Sequence, residues 1–219
     1  MNPVGMSKDL RTKSLLAFYF GGAVARDLNF DHVDTIRNVS KRAYRDVNRT
    51  MHGIGALKNA DALRAEIYAS VIKFVAGLEE FSHKELGPHT QEEFNQLHRA
   101  WCLEAIETFS RFPHHQRPDF GLHYGQAQKW LNMTLKYLAV LDHPQVRYAY
   151  PYLHVPLDSV VFRMAEEDLK VKEPSLKWSR LGEKAYLAYQ DELYAAVNAD
   201  STITRSVMDW EAEYWIKGL

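Results

Sequence analysis

With 219 residues, 46% of them hydrophobic and 25% charged, the chain has ordinary globular proportions and the length for one domain with a good core, or for two small helical lobes sharing one. A single cysteine, Cys102, excludes an internal disulfide and a Cys-rich zinc site and suits a reducing cytoplasm. A net charge of −1 argues against a nonspecific nucleic-acid coat, and no apolar run is long enough to span a bilayer.

In chain order, the first predicted helix runs from Lys8 to Asp27, with a close approach to another backbone at Gly21-Gly22. Its apolar stretch, Leu15 to Val24, is too short for a secretory signal and runs into Arg26 and Asp27, so a cytoplasmic protein with no membrane partner is expected. A second helix, Asp31 to Met51, sets Val33, Ile36, Val39, Tyr44 and Val47 on one face. The other face carries Arg37, Lys41, Arg42, Arg45 and Arg49, which reads either as a solvated surface or as a phosphate track.

Gly53 and Gly55 break the chain, and Asn59 is placed to cap a third helix reaching Phe81, apolar on several sides and therefore central. After Gly87-Pro88, Thr90 and Glu93 match a capping box for a fourth helix ending near Phe112. The turn-rich, basic segment PHHQRPDFGLHYG leads into a fifth helix, Gln126 to Leu141, free of Pro and Gly. An irregular run with Pro144, Pro151 and Pro156 follows. Asp158 then caps a helix to Leu169, and two last helices span Gly182 to Val197 and Thr204 to Ile216. No strand-like alternation of useful length and no internal repeat occurs, so the fold class is all-α.

The chemistry concentrates between Phe120 and Phe162. Helical spacing puts Lys129, Asn132, Met133 and Lys136 on one face, beside the apolar row Leu131, Leu135 and Leu138. A capping carboxylate at Asp158 would accept backbone N–H bonds, which favours its ionised form and fixes it in space. Lysine and aspartate on two helices can then face one another across a cleft.

The order of a glycine, Gln128-Lys129, a helix bearing Lys136, and Val155-Pro156-Leu157-Asp158 ahead of an apolar helix resembles the helix-hairpin-helix DNA glycosylase superfamily. It is most similar to the archaeal-type 8-oxoguanine DNA glycosylase branch, in which the lysine and aspartate are far apart in sequence. The resemblance implies a two-lobed helical bundle with a cleft, spanning residues 1–219 as a single monomeric domain, and double-stranded DNA with a modified base as partner. It implies Lys129 as nucleophile and Asp158 as catalytic carboxylate, with no cofactor and no metal. Gln128, Asn132, Met133, Lys136, His154 and Trp210 become expected substrate contacts. His114, His115, Arg117, His123 and Gly125 become expected DNA contacts, the hairpin's backbone N–H groups holding a phosphate.

Such an enzyme must evert the nucleotide, stabilise positive charge on the deoxyribose with a carboxylate, and attack C1′ with a neutral amine. Burial and the second cation, Lys136, are expected to favour that neutral form. Met133 stands where the archaeal enzymes place an aromatic side chain against the everted base. His143, Tyr148, Tyr150, Tyr152 and His154 suggest instead a pocket for a sugar-bearing base. Related bacterial proteins include an antiphage group that removes glucosylated hydroxymethylcytosine, and this is the preferred substrate class, with 8-oxoguanine as the rival.

Charge is unevenly spread: residues 1–58 hold ten Lys/Arg against five Asp/Glu, residues 111–150 five against two, and residues 159–219 eight against eleven. A basic footprint is therefore available at the centre of the chain. Two other classes compete. Arg45 and His52 resemble the motif of small helical RNases, and a helical interaction protein without catalysis would leave Lys129 and Asp158 apart or turned to water. Glu80-x-x-His83 has the di-iron helix spacing without its required second copy, so no metal site is expected.

Overall fold

A computed structural model describes residues 12, 14–16, 19–20, 33–85, 87–114, 116–117, 120–199 and 206–217. Among these residues the secondary structure is helical throughout, with no strand, and no helix is long and apolar enough to cross a membrane. Most of the expected first helix, including Gly21-Gly22, lies outside the described residues, though residues 12, 14–16 and 19–20 are helical.

The α-helices are α1 (Val33–Val47), α2 (Ala60–Gly77), α3 (Pro88–Ser110), α4 (Tyr124–Val140), α5 (Pro144–Ala149), α6 (Ser159–Met164), α7 (Glu183–Ala199) and α8 (Val207–Lys217). Short 3₁₀ turns at Asn48–Thr50, Leu78–His83, Tyr150–Tyr152 and Trp178–Arg180 extend or connect them. Two expected caps are not made. The Asn59 side chain accepts no capping bond, and Thr90 Oγ1 donates to the Glu85 carbonyl while Glu93 pairs with Lys84, because α3 already starts at Pro88. Proline at the first helical position sacrifices no bond and presets φ, so the start moves three residues upstream, from Gln91 to Pro88. The same reason turns part of the expected irregular run into α5, with Pro144 in its first turn.

The architecture is organised around α4. From Tyr124 to Leu138 every residue is buried except Lys136, so the helix has neighbours on all sides. α1 lies along one flank: Ile36, Val39, Ala43 and Val47 point inward, and the buried Trp130 indole donates to Ser40 Oγ at 3.1 Å and to its carbonyl at 3.2 Å. α3 and α7 cover other flanks through His98 and Tyr186. The buried apolar side chains form one continuous cluster running through α1–α8 and the loops between them.

Candidate functional site

Two elements bring Lys129 and Asp158 together. Asp158 is the N-cap of α6: its backbone is extended, and one carboxylate oxygen accepts from the N–H groups of Val160 and Val161, each at 2.9 Å. The other oxygen accepts from Lys129 Nζ on α4 at 2.7 Å. Lys129 Nζ also donates to the Pro156 carbonyl at 3.1 Å. The lysine side chain is 7% exposed and the aspartate 25%, so the pair is sealed on the amine side and reachable on the acid side. Burial pushes the Asp158 carboxyl up, but the Lys129 ammonium and the two capping N–H groups outweigh it, and the acid titrates below the ordinary carboxylate range.

A side-chain ladder on α4 fixes the Val155–Asp158 segment in this position. Gln128 Nε2 donates to the carbonyls of Gly125 and Leu157 at 2.9 and 3.2 Å, and Gln128 Oε1 accepts from the Leu157 N–H at 3.3 Å. One turn later, Asn132 Nδ2 donates to Gln128 Oε1, to the Val155 carbonyl and to the Tyr186 hydroxyl. From α7, Gln190 closes both backbone groups of Val155. Sequence spacing makes Gln128 and Asn132 look available to a substrate, but both are 0% exposed and committed to the chain itself. Their bonds hold the Val155–Leu157 backbone that leads into Asp158.

Beneath the ladder lies a wired polar interior. His98 Nε2 donates to Asn132 Oδ1, the Tyr186 hydroxyl donates to His154 Nδ1, and His154 Nε2 donates to Asn95 Oδ1, at 2.8–2.9 Å. Burial holds the His98 imidazole down at about 4, against the raising effect of Asn132, and holds His154 well below its usual value, with His98 adding to the effect. His154 is thus a neutral core histidine with both ring nitrogens bonded inside the fold.

Other expected contacts are also redirected. Trp210 is buried, its indole donating to Asp168, while Trp215 is the exposed member of the pair. Lys136 forms an ion pair with Glu211 on α8 and lies 5.5 Å from the Trp215 ring centroid, so its charge is neutralised locally and cannot serve as a cationic neighbour for Lys129. Met133 is buried at 9% exposure. The aromatic and histidine run after α4 does not converge: His143 and Tyr150 line a cavity of about 380 Å³ with Lys136 and Arg147, Tyr148 is exposed, and Tyr152 and His154 are interior.

The loop before α4 holds its expected DNA contacts unevenly. Gly125 donates its N–H to the Leu181 carbonyl at 3.0 Å, so it offers none to a phosphate. A Cβ at Gly125 would sit 1.9 Å from the Trp178 carbonyl oxygen, and this close approach is what demands glycine. The N–H groups of Gln116, Arg117, Phe120 and His123 are likewise bonded internally. His115 lies outside the described residues. His114 is half-buried beneath Phe120 and Gly53. Arg117 is exposed, and His123 accepts from Arg180.

The Gly125 contact carries the Trp178–Arg180 turn against the start of α4 and builds a groove that sequence spacing does not reveal. A cavity of about 580 Å³ is lined by Arg49, Thr50, His52, Lys177 and Arg180, with Glu173 as its one acid, and comes up to Ser159, the residue after Asp158. A smaller pocket of about 80 Å³ shares Thr50, His52 and Arg180 and adds Arg117 and His123. Arg45, the proposed partner of His52 in the RNase reading, lines a different cavity, and α1 ends at Val47 before His52 is reached. Glu80 and His83 fall in a 3₁₀ turn, and among the described residues no group of three His, Cys, Asp or Glu side chains is placed to hold a metal ion.

No protein-family model, curated protein or solved structure matches the chain.

Proposed function

We propose that the chain is a DNA glycosylase that excises a modified base with Lys129 and Asp158. The observation that carries this reading is the 2.7 Å ion pair between an almost fully buried amine and a partly open, cap-fixed carboxylate, one residue from a basic groove. The helical interaction reading would leave Lys129 and Asp158 apart or turned to water, whereas they are paired, with the acid at the edge of the groove. On this reading the segment 113–125, which leads into α4, is the hairpin of a helix-hairpin-helix unit. The groove is the mouth of a cleft between two helical lobes, and the partner is double-stranded DNA bound by a monomer.

The chemistry follows from the pair. An everted nucleotide separates Lys129 from Asp158, leaving the carboxylate to face the sugar. The C1′–N bond breaks with its electrons going to the base, and the Lys129 ammonium supplies the proton that completes the leaving group. Asp158 stabilises the cationic sugar. The neutral amine then attacks C1′, loses a proton to solvent, and forms a Schiff base as the C1′–O4′ bond opens and the ring oxygen is protonated. Cytosine carrying a glucosylated hydroxymethyl group is the preferred substrate, because Met133 supplies no aromatic face for an oxidised purine. Comparison of base release from phage DNA with and without the glucose separates the two.

Borohydride trapping on DNA bearing the modified base tests the mechanism. The wild-type protein is expected to form a covalent adduct, Lys129→Gln none, and Asp158→Asn less than about 1% of it, in line with loss of a charge-stabilising group worth ~10²–10³ in rate. A wild-type protein that releases base without ever being trapped would confine Lys129 to positioning. Absence of release from every modified duplex would remove the glycosylase reading.

A further inference from the structure

A second basic groove lies along α1 and reaches Asn48, where the Asn48–Thr50 turn begins. Arg37, Lys41 and Arg45 recur every four residues and are all exposed, so they form one stripe on the helix surface. Eight residues of helix rise ~12 Å, the axial length of three to four nucleotides of one DNA strand. The stripe continues through Asn48 into Arg49, which lines the groove beside Ser159.

The opposite wall comes from α2. Together the two helices enclose a trough of about 690 Å³ lined by Arg37, Lys41, Arg45 and Arg64, with Tyr44 and Tyr68 at its base. Arg64 lies 5.8 Å from the Tyr44 ring centroid and Lys41 lies 6.0 Å from that of Tyr68, which orients both cations along the trough. Two acids are present: Asp34 pairs with Arg37 and Asp61 with Arg64, both at the exposed surface. Among the described residues neither Lys41 nor Arg45 has a carboxylate at ion-pair distance. Tyr68 is buried, and the half-buried Tyr44 ring is already contacted by Trp130 at 5.0 Å and Arg64 at 5.8 Å, so the trough offers cations more readily than ring faces and suits a sugar-phosphate backbone.

We infer that the α1–α2 trough is a second DNA-backbone contact, which takes the duplex arm leaving the Lys129–Asp158 site on one side of the modified base. The direction of that arm rests on the glycosylase reading; binding of duplex by the trough does not.

The test is therefore made on unmodified duplex. Binding of the full-length protein to a 30-base-pair DNA is measured by fluorescence anisotropy across a salt series for wild type, Lys41→Gln/Arg45→Gln, the charge-preserving Lys41→Arg/Arg45→Lys, and Lys73→Gln on a part of α2 outside the trough. The neutral double variant is expected to lose about two units from the slope of log K against log salt and to bind at least about tenfold more weakly at low salt. The charge-preserving pair and Lys73→Gln should keep the wild-type slope. An unchanged slope in the neutral variant, or equal loss in Lys73→Gln, would overturn the assignment. If no base is ever released but the slope still falls by two, the trough stands and only the glycosylase reading is lost.

Discussion

Asp158 does two jobs with its two carboxylate oxygens, and substitutions can separate them. One oxygen satisfies the first turn of α6 and the other holds the Lys129 ammonium. Asparagine retains a side-chain acceptor and is among the best N-caps, whereas alanine retains nothing. Asp158→Ala is therefore expected to be about 1 kcal/mol less stable than Asp158→Asn in urea denaturation, although both lose the carboxylate charge that faces Lys129. Equal stability of the two variants would mean that the cap contributes nothing to α6. The sequence made the cap legible, since a lone aspartate after proline and before an apolar periodic run has few other roles. Its partner was legible only by resemblance, because no local pattern states which lysine, 29 residues upstream in sequence, reaches it. Gln128 and Asn132 show the matching failure. A polar stripe on a helix looks the same whether it meets water or the backbone of a distant segment, and here it meets the segment.

At the scale of elements, helix existence was readable and helix beginnings were not. The Pro- and Gly-free run of α4 announced itself, but it starts at Tyr124, where Gln126 Oε1 accepts from the His123 N–H at 2.9 Å. Pro88 and Pro144, which read as breakers, instead open helices. The contact that matters most between elements was invisible, because glycine is compatible with any loop and nothing local distinguishes one that admits another backbone. Gly125→Ala tests it. Its Cβ would collide with the Trp178 carbonyl, and the obstacle is backbone, which cannot rotate away. The Trp178–Arg180 turn must then lift off α4, at a cost of roughly 1–3 kcal/mol. That turn also brings Arg180 to His123, so if the groove binds DNA as proposed, affinity should fall with it; a thermal midpoint within a degree of wild type would show that the turn moves freely.

For the whole molecule, the histidines set the response to acid. Burial holds His98 down at about 4 and His154 well below its usual value, while an unfolded histidine titrates near 6.5. Between those values the unfolded chain binds protons that the folded one refuses, so stability is full above about pH 6.5 and falls as pH drops. Each buried imidazole contributes a slope of up to ~1.4 kcal/mol per pH unit in that window. Urea midpoints at pH 7.5 and 5.0 should differ clearly, and His98→Gln should flatten the dependence; a wild-type midpoint that is level across this range would show that the two rings take up protons without unfolding. The position of α4 has one last consequence. With neighbours on every flank, it cannot be excised with a subset of them as a minimal fragment: removing any segment that covers it uncovers apolar rows, and with them the lysine. Dissection by truncation should yield aggregates in place of autonomous pieces, and recombination of two cleaved halves should restore binding only if both supply their walls to the same helix.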